Sequence, residues 1–264
     1  MYIYSIKLPI IKKNDPFLQI LIDHIKKSKE SLKEGDIVVL SEKVVATSQG
    51  RVVNLSDVKK VSKKAKEMAL ECDMDERFVE LILQESSMIL GGLPKGHVIL
   101  SKVDDFLIAN SGIDQSNAGP NNVVLLPKNP KEEAKKFWKV LKKEFNLKNL
   151  GLIIADSRVQ PLRKGTVGIS VANAGFEPIE DMRGMPDIFG RPLRITLRAI
   201  ADDLTSAAQF LLNEGNQQTP VVIIRGAVGV HFTENPKLTT EMPAEECLFM
   251  NIFSKYLSQD KNKP

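Results

Sequence analysis

Apolar positions recur with two periods along this chain, and the period changes where the elements change. Between residues 17 and 32, Leu18, Leu21, Ile22 and Ile25 fall three or four apart, which predicts a helix with one apolar stripe. "GDIVVLSEKVVA" then reads as a strand entering a polar turn. Residues 57–69 and 75–86 read as two further helices. "HVILSK" and "DFLIANSG" are short strands separated by Val103-Asp104, a hairpin pattern. The clearest helix spans 130–145. Pro130 fits its first turn, and Ala134, Phe137, Trp138, Leu141 and Phe145 line one face with lysines opposite. Trp138 is therefore expected in the core. "GLIIADS", "GTVGISVANAG" and "PLRITLRAI" read as strands, 201–212 as a helix, "PVVIIRGAV" as a buried strand and 244–256 as a last helix. The Lys-rich tail "SQDKNKP" has nothing to pack and is expected to be disordered.

The alternation of strands and helices is irregular and includes hairpins. That predicts an α+β fold with mixed and antiparallel sheets rather than a doubly wound parallel sheet. No internal repeat is visible. "NAGPNN" and the following "PKNPKEE" mark a possible change of domain.

Composition narrows the classes. At 264 residues, 42% hydrophobic and 27% charged, the chain suits one large or two modest globular domains. No apolar run approaches the roughly 18 residues of a membrane span. The opening "MYIYSIKLPIIKKNDP" lacks the features of a signal peptide, so a soluble, cytoplasmic protein is expected. The net charge of +4 comes from lysines spread over helices, and only 6% of residues are aromatic, so nucleic acid is not an expected partner. Cys72 and Cys247 have no metal-ligand spacing and are expected to be reduced. His24, His97 and His231 form no cluster. Any chemistry falls to carboxylates, hydroxyls, Lys and Arg.

Those groups gather where strands end. "LIIADS" delivers Asp156 and Ser157, with Arg158, Arg163 and Lys164 just beyond. Asp and Ser are common turn formers, so this stretch alone favours a strand closing in a capped turn. Yet "VVLSEK" ends in Ser41-Glu42-Lys43, "FLIANSGIDQSN" supplies Asp114 and Asn117, and "FLLNEGNQQTP" ends a helix in Glu214-Gly215. Asp114, Asp156 and Glu214 are the oxygen donors that one or two hard divalent ions take. No Walker motif is present and no strand-linked GxGxxG, so a nucleotide would need another kind of loop. The residues alone point to a metal-dependent enzyme acting on phosphates.

The order of motifs adds a resemblance. "LPII", "SEKVVATSQGR", "NSGIDQSN", "LLPKNP", "ADSRVQPLRKGTVG", "RGMPDIFGRPLRIT", "AIADDL" and "NEGNQQTPVVIIRG" succeed one another over nearly the whole chain. Together they resemble the gamma-glutamyl ligases that add glutamate to the precursor of the deazaflavin coenzyme F420. The resemblance implies one ligase unit of two interleaved subdomains, with breaks near residues 120 and 190, forming an intertwined homodimer. It implies GTP, with ATP as the alternative, and one or two Mg²⁺ or Mn²⁺ ions, joining L-glutamate to an acceptor carboxylate. Asp114, Asp156, Ser157 and Glu214 match the family's metal positions. Leu8, Pro9, Ile10, Ile11, Glu42, Lys43 and Asn117 match nucleotide-contacting positions. So does the loop of Leu212, Asn213, Glu214, Gly215, Asn216, Gln217, Gln218 and Thr219. Arg163 and Lys164 are the catalytic cations expected to stabilise oxyanion charge, with Arg225 a further candidate.

The chain departs from the family at two places. Thr47 stands where a second lysine is common, and Gln49 where an acid is. The turn that usually reads DTxGRxxRxG is "DSRVQPLRKG", so its Gly-Arg pair has become Val159-Gln160. "ATSQGR", "GIDQSNA" and "EGNQQTP" resemble the branch expected to act on folates. A folate acceptor is therefore the alternative to the phosphodiester-bearing deazaflavin. A nucleotide-binding protein without ligase activity and a small-molecule kinase are the alternatives of another class.

Overall fold

The structure, a computed structural model, describes residues 1–253. In chain order its elements are β1 (Tyr2–Ile6), α1 (Phe17–Lys27), β2 (Asp36–Ser41), α2 (Glu42–Ser48), β3 (Val52–Asn54), α3 (Lys63–Cys72) and α4 (Glu76–Glu85). Then follow β4 (Met88–Leu93), β5 (Val98–Val103), β6 (Phe106–Ala109), β7 (Asn122–Val124), α5 (Pro130–Glu144), β8 (Leu150–Val159) and β9 (Thr166–Ala174). The last are β10 (Glu180–Asp181), β11 (Leu197–Arg198), α6 (Ile200–Leu212) and β12 (Val221–Arg225). The fold is α+β, with parallel and antiparallel pairs in the same sheet. The chain divides into two compact units, Met1–Val52 with Val124–Thr240, and Val53–Val123 with residues from 241 on.

The first unit is built on a five-stranded sheet in the order β1-β12-β2-β8-β9. Only β2 and β8 pair in parallel; the other three pairings are antiparallel. Ile37, Val39, Ile153, Ala155, Val222 and Ile224 pack from one face against Ile200, Ala201, Leu204 and Ala208 of α6. The alternate positions Val38, Leu40, Leu152 and Ile154 are as fully buried. A strand covered on both faces reads as a continuous apolar run, as "DIVVLS" and "LGLIIA" do. Burying each such Val, Leu or Ile contributes about 1.5–3 kcal/mol. Opposite α6, the α5 stripe of Ala134, Phe137, Trp138 and Leu141 is buried as predicted, and Trp138 Nε1 donates to the Leu150 carbonyl at 2.8 Å.

Several elements differ from the sequence reading. Residues 42–48 are helical, not a turn. Ser41 caps that helix, its hydroxyl accepting from the Lys43 N–H at 3.3 Å, and Glu42 sits in the first turn. The helix expected at 57–69 begins at Lys63 after its Ser62 cap. Of "PLRITLRAI" only Leu197–Arg198 is strand, paired with Glu180–Asp181 at the base of a hairpin. That hairpin leaves Ile188, Phe189 and Ile195 more than 80% exposed. Of the last helix expected at 244–256, only 248–253 are helical, and residues 254–256 and the Lys-rich tail lie outside the described residues.

The second unit pairs α3 with α4 and holds the antiparallel sheet β4-β5-β6. Its hairpin β5–β6 runs into Asn110, Ser111 and Gly112, three consecutive left-handed residues with φ of 52°, 55° and 68°. Left-handed backbone is unfavourable for Asn and more so for Ser, so it must be held. The buried Ser111 hydroxyl donates to the Ile82 carbonyl at 3.0 Å. Its N–H donates to Ser101 Oγ at 2.9 Å, and Asn110 Oδ1 accepts from the Ile99 N–H at 2.9 Å.

Candidate active site

Register brings four polar segments to one end of the five-stranded sheet. Ile6 pairs with Val221, so the chain leaving β1 at Leu8–Ile11 lies beside the chain entering β12. Val221 also pairs with Leu40, so Ser41 and Glu42 lie at the same end. Ser41 pairs with Ala155, so Asp156 follows at the next strand. Two backbone bonds tie the segments: Leu8 N–H to the Gln218 carbonyl at 3.1 Å, and Ser41 N–H to the Pro220 carbonyl at 2.9 Å. Segments 8–11, 42–43, 156–157 and 212–219 therefore occupy one sheet edge, though they are far apart in sequence.

The side chains differ in setting. Leu8 is buried, Pro9 and Ile10 are exposed, and Ile11 is half-buried, so Leu8 anchors a segment whose tip is open. Glu42 is buried and Lys43 half-buried. The 212–219 loop opens at Asn213 and closes at Gln218, both with a positive φ of 58°. Thr219 fastens it, its hydroxyl donating to the Leu211 carbonyl at 2.7 Å. Asn213, Glu214, Gly215, Asn216, Gln217 and Gln218 are all exposed, a polar loop at the surface.

Asp156 and Ser157 are half-buried. The Ser157 N–H donates to Asp156 Oδ1 at 2.6 Å, and Gln209 of α6 donates to the Asp156 carbonyl at 3.3 Å. Alternation along β8 sends Ser157 to the α6 side. There its partner Gly168 lies so close to the Thr205–Ser206 backbone that a Cβ would stand 2.6 Å away. Asp156 leaves on the other side. Beyond them the β8–β9 turn carries Arg163 and Lys164, both exposed, on a cleft of about 410 Å³ lined also by Gln160, Leu162, Gly165 and Val167. Arg225 does not belong here. It sits at the opposite end of β12, where Nε and Nη2 hold both oxygens of the buried Asp36 at 2.9 and 2.8 Å.

Asp114 and Asn117 belong to the second unit, on the loop that the strained turn launches. The Ser116 N–H and hydroxyl each donate to Asp114 Oδ1 at 2.6 Å; Asp114 is half-buried and Asn117 exposed. Among the described residues, no group of three or more His, Cys, Asp or Glu side chains stands together as a metal-holding cluster. The donor chemistry still suits a hard cation: Glu42 and Asp156 are carboxylates one residue past a paired position on neighbouring parallel strands.

One acid near the site was not singled out from the sequence. Asp202, in the first turn of α6, accepts the Ser170 N–H at 2.9 Å. Burial raises its carboxyl above the usual 3.8, against the opposing pull of that hydrogen bond and of the Arg158 charge. "AIADDL" carries the residue in plain view, but only the β9–α6 packing shows that the first of the two acids is the enclosed one.

An edge of carboxylates suits a cation, an open polar loop and a cationic turn suit anionic reactants, and similarity to known proteins gives the class. Residues 5–226 match the family described as F420-0:Gamma-glutamyl ligase, which makes this an amide-bond-forming ligase fold. The chain belongs to the F420-0:gamma-glutamyl ligase family. Relatives named "Coenzyme F420:L-glutamate ligase" include that of Methanocaldococcus jannaschii, 36% identical over 249 residues, covering 94% of this chain and 96% of the relative. That of Methanothermobacter thermautotrophicus is 34% identical over 221 residues, 83% of this chain and 86% of the relative. That of Archaeoglobus fulgidus is 29% identical over 219 residues, 83% and 84% respectively. No helix of the described residues is long and apolar enough to cross a membrane.

Proposed function

We propose that the protein is a nucleotide- and metal-dependent gamma-glutamyl ligase. It joins the amine of L-glutamate to the carboxylate of the deazaflavin precursor F420-0, in the cytoplasm and as a homodimer. The observation that carries this reading is the register that gathers 8–11, 42–43, 156–157 and 212–219 at one sheet edge, in a chain whose relatives bear that activity in their names. A carboxylate is a poor acyl donor because oxide would have to leave. Transfer of the terminal phosphoryl group of GTP to it gives an acyl phosphate, which the glutamate amine attacks with phosphate departing. The open 212–219 loop and the Leu8–Ile11 tip receive the nucleotide, with Lys43. Asp156, Ser157 and Glu214 would hold one or two Mg²⁺ or Mn²⁺ ions, which when bound neutralise phosphate charge. Arg163 and Lys164 supply positive charge on the acceptor side of Asp156.

A folate acceptor is the second reading, favoured by Val159 and Gln160 on the turn that lines the cleft. The dimer is supported by the exposed Ile188, Phe189 and Ile195, apolar surface with no cover in a single chain. Incubation with Mn²⁺, glutamate, and GTP or ATP, with each acceptor in turn, tests the function. A mass gain of one glutamate is expected, larger with the deazaflavin. A phosphorylated product without glutamate would make the protein a kinase, and no product with either acceptor would leave it a nucleotide binder. Sedimentation at micromolar concentration should give a dimer.

A further inference from the structure

The guanidinium of Arg158, at the site end of the sheet, acts on the Asp202 carboxyl through its charge but keeps a nitrogen that the fold does not pair. Its Nε is buried, yet it has no hydrogen-bond partner among the described residues. An unpaired buried donor is rare in a native fold and calls for a partner that the chain does not supply.

Two registers place this residue. Arg158 lies on β8 two positions past Asp156, and its cross-strand partner is Val167. Directly opposed residues of an antiparallel pair share a face, and Val167 lines the 410 Å³ cleft. Gln160 lines the same cleft, and it stands two residues beyond Arg158, where an extended chain returns to the same side. Arg163 and Lys164 add two positive charges to the lining, and no acid lines the cleft. A ligand there is an anion. The nucleotide segments lie at β1, β12 and β2, whereas the turn belongs to β8 and β9. Arg158 stands on β8, about 10 Å from β12 at about 4.8 Å per strand, and three residues past Ala155, the last β8 residue paired with β2, which puts it on the turn side of the nucleotide segments.

We infer that Arg158 determines acceptor recognition, its guanidinium donating to two oxygens of a phosphate or carboxylate on the acceptor. A guanidinium fork matches such an oxygen pair, and an ammonium does not. The inference rests on the ligase reading for the identity of the acceptor, and its test separates the two.

The test uses the full chain with Arg158→Gln and Arg158→Lys, each checked by thermal melting. Acceptor, glutamate and GTP are varied in turn, and binding of the deazaflavin acceptor is titrated directly without nucleotide. Arg158→Gln should weaken acceptor binding and raise the acceptor KM tenfold or more, about 1.4 kcal/mol. The KM values for glutamate and GTP should stay within about twofold. Arg158→Lys should recover part of the loss and carries the test if Arg158→Gln fails to fold. A loss seen with the deazaflavin alone assigns the oxygens to its phosphodiester; an equal loss with folate assigns them to the carboxylate. Unchanged acceptor affinity, a shift falling on glutamate or GTP instead, or a wild-type protein that binds neither acceptor overturns the inference. Arg158-dependent acceptor binding without amide formation would sustain it and remove the ligase reading.

Discussion

The two ends of the five-stranded sheet treat charge in opposite ways. At the end where β2 begins and β12 finishes, Arg225 gives both faces of its fork to Asp36, Nη1 to Glu30 at 3.0 Å and Nη2 to the Ser31 carbonyl at 2.9 Å. Its side chain also lies over the Tyr4 ring, 5.3 Å from the centroid. These bonds, Asp36 foremost, push the guanidinium still further towards the protonated form. Every group there is answered from within the chain. At the other end Arg158 keeps an unanswered nitrogen, the 212–219 loop stands open, and Arg163 and Lys164 face outward. Ionic groups of the same kinds are structural at one end and presented at the other. The difference lies in whether their partners are built in.

Breaking the closed end should have the largest effect. Arg225→Ala leaves Asp36, which is fully buried, without its counter-charge, and should destabilise the fold by about 3–5 kcal/mol. Urea unfolding of the variant would read it, and a midpoint close to wild type would mean that Asp36 finds water or another partner. Asp156→Asn strikes the open end. It should cut turnover about a hundredfold, equivalent to about 2.7 kcal/mol of barrier, with the unfolding midpoint nearly unchanged. A variant that melts early while keeping its turnover per folded molecule would invert the comparison.

The smallest effect sharpens it by pH. The Asp202 carboxyl is raised in the folded protein, so the folded state binds that proton more tightly than the unfolded chain does. Its contribution is therefore fully present below the usual value of about 3.8 and is lost as pH rises through the raised value. Asp202→Asn should remove that downward slope from a plot of melting temperature against pH, and an unaltered slope would mean the carboxyl is not enclosed in solution.

What could be read from the sequence follows from how local each signal is. The α5 stripe of Ala134, Phe137, Trp138 and Leu141 and the apolar run of β8 are encoded within their own segments, and both stand where expected. Residues 42–48 misled because Ser41-Glu42-Lys43 is as polar as a turn, whereas Ser41 in fact caps a helix that resumes apolar positions at Val45 and Ala46. "PLRITLRAI" alternates like a strand with one buried face, yet Ile195 is 88% exposed, because periodicity sets a conformation and not what covers it. The polar strand ends were visible as types: Glu42, Asp156 and the Glu214 loop. Their adjacency was not, since it depends on pairings between residues more than a hundred positions apart. The orphaned Arg158 nitrogen had no sequence signal at all. It looked like one more turn cation until its depth and its partner Val167 were seen.

The place of β12 also bears on how the protein is born. This last strand of the sheet inserts between β1 and β2, which leave the ribosome first. At about 5–20 residues per second, β1 waits on the order of ten to forty seconds for the partner that separates it from β2. Through that interval the edge of β2 that β12 will cover carries unpaired amides beside the run Ile37-Val38-Val39-Leu40. The nascent chain thus spends most of its synthesis with its most adhesive strand edge uncovered, and the 221–225 segment acts as the closing piece of a sheet otherwise already made.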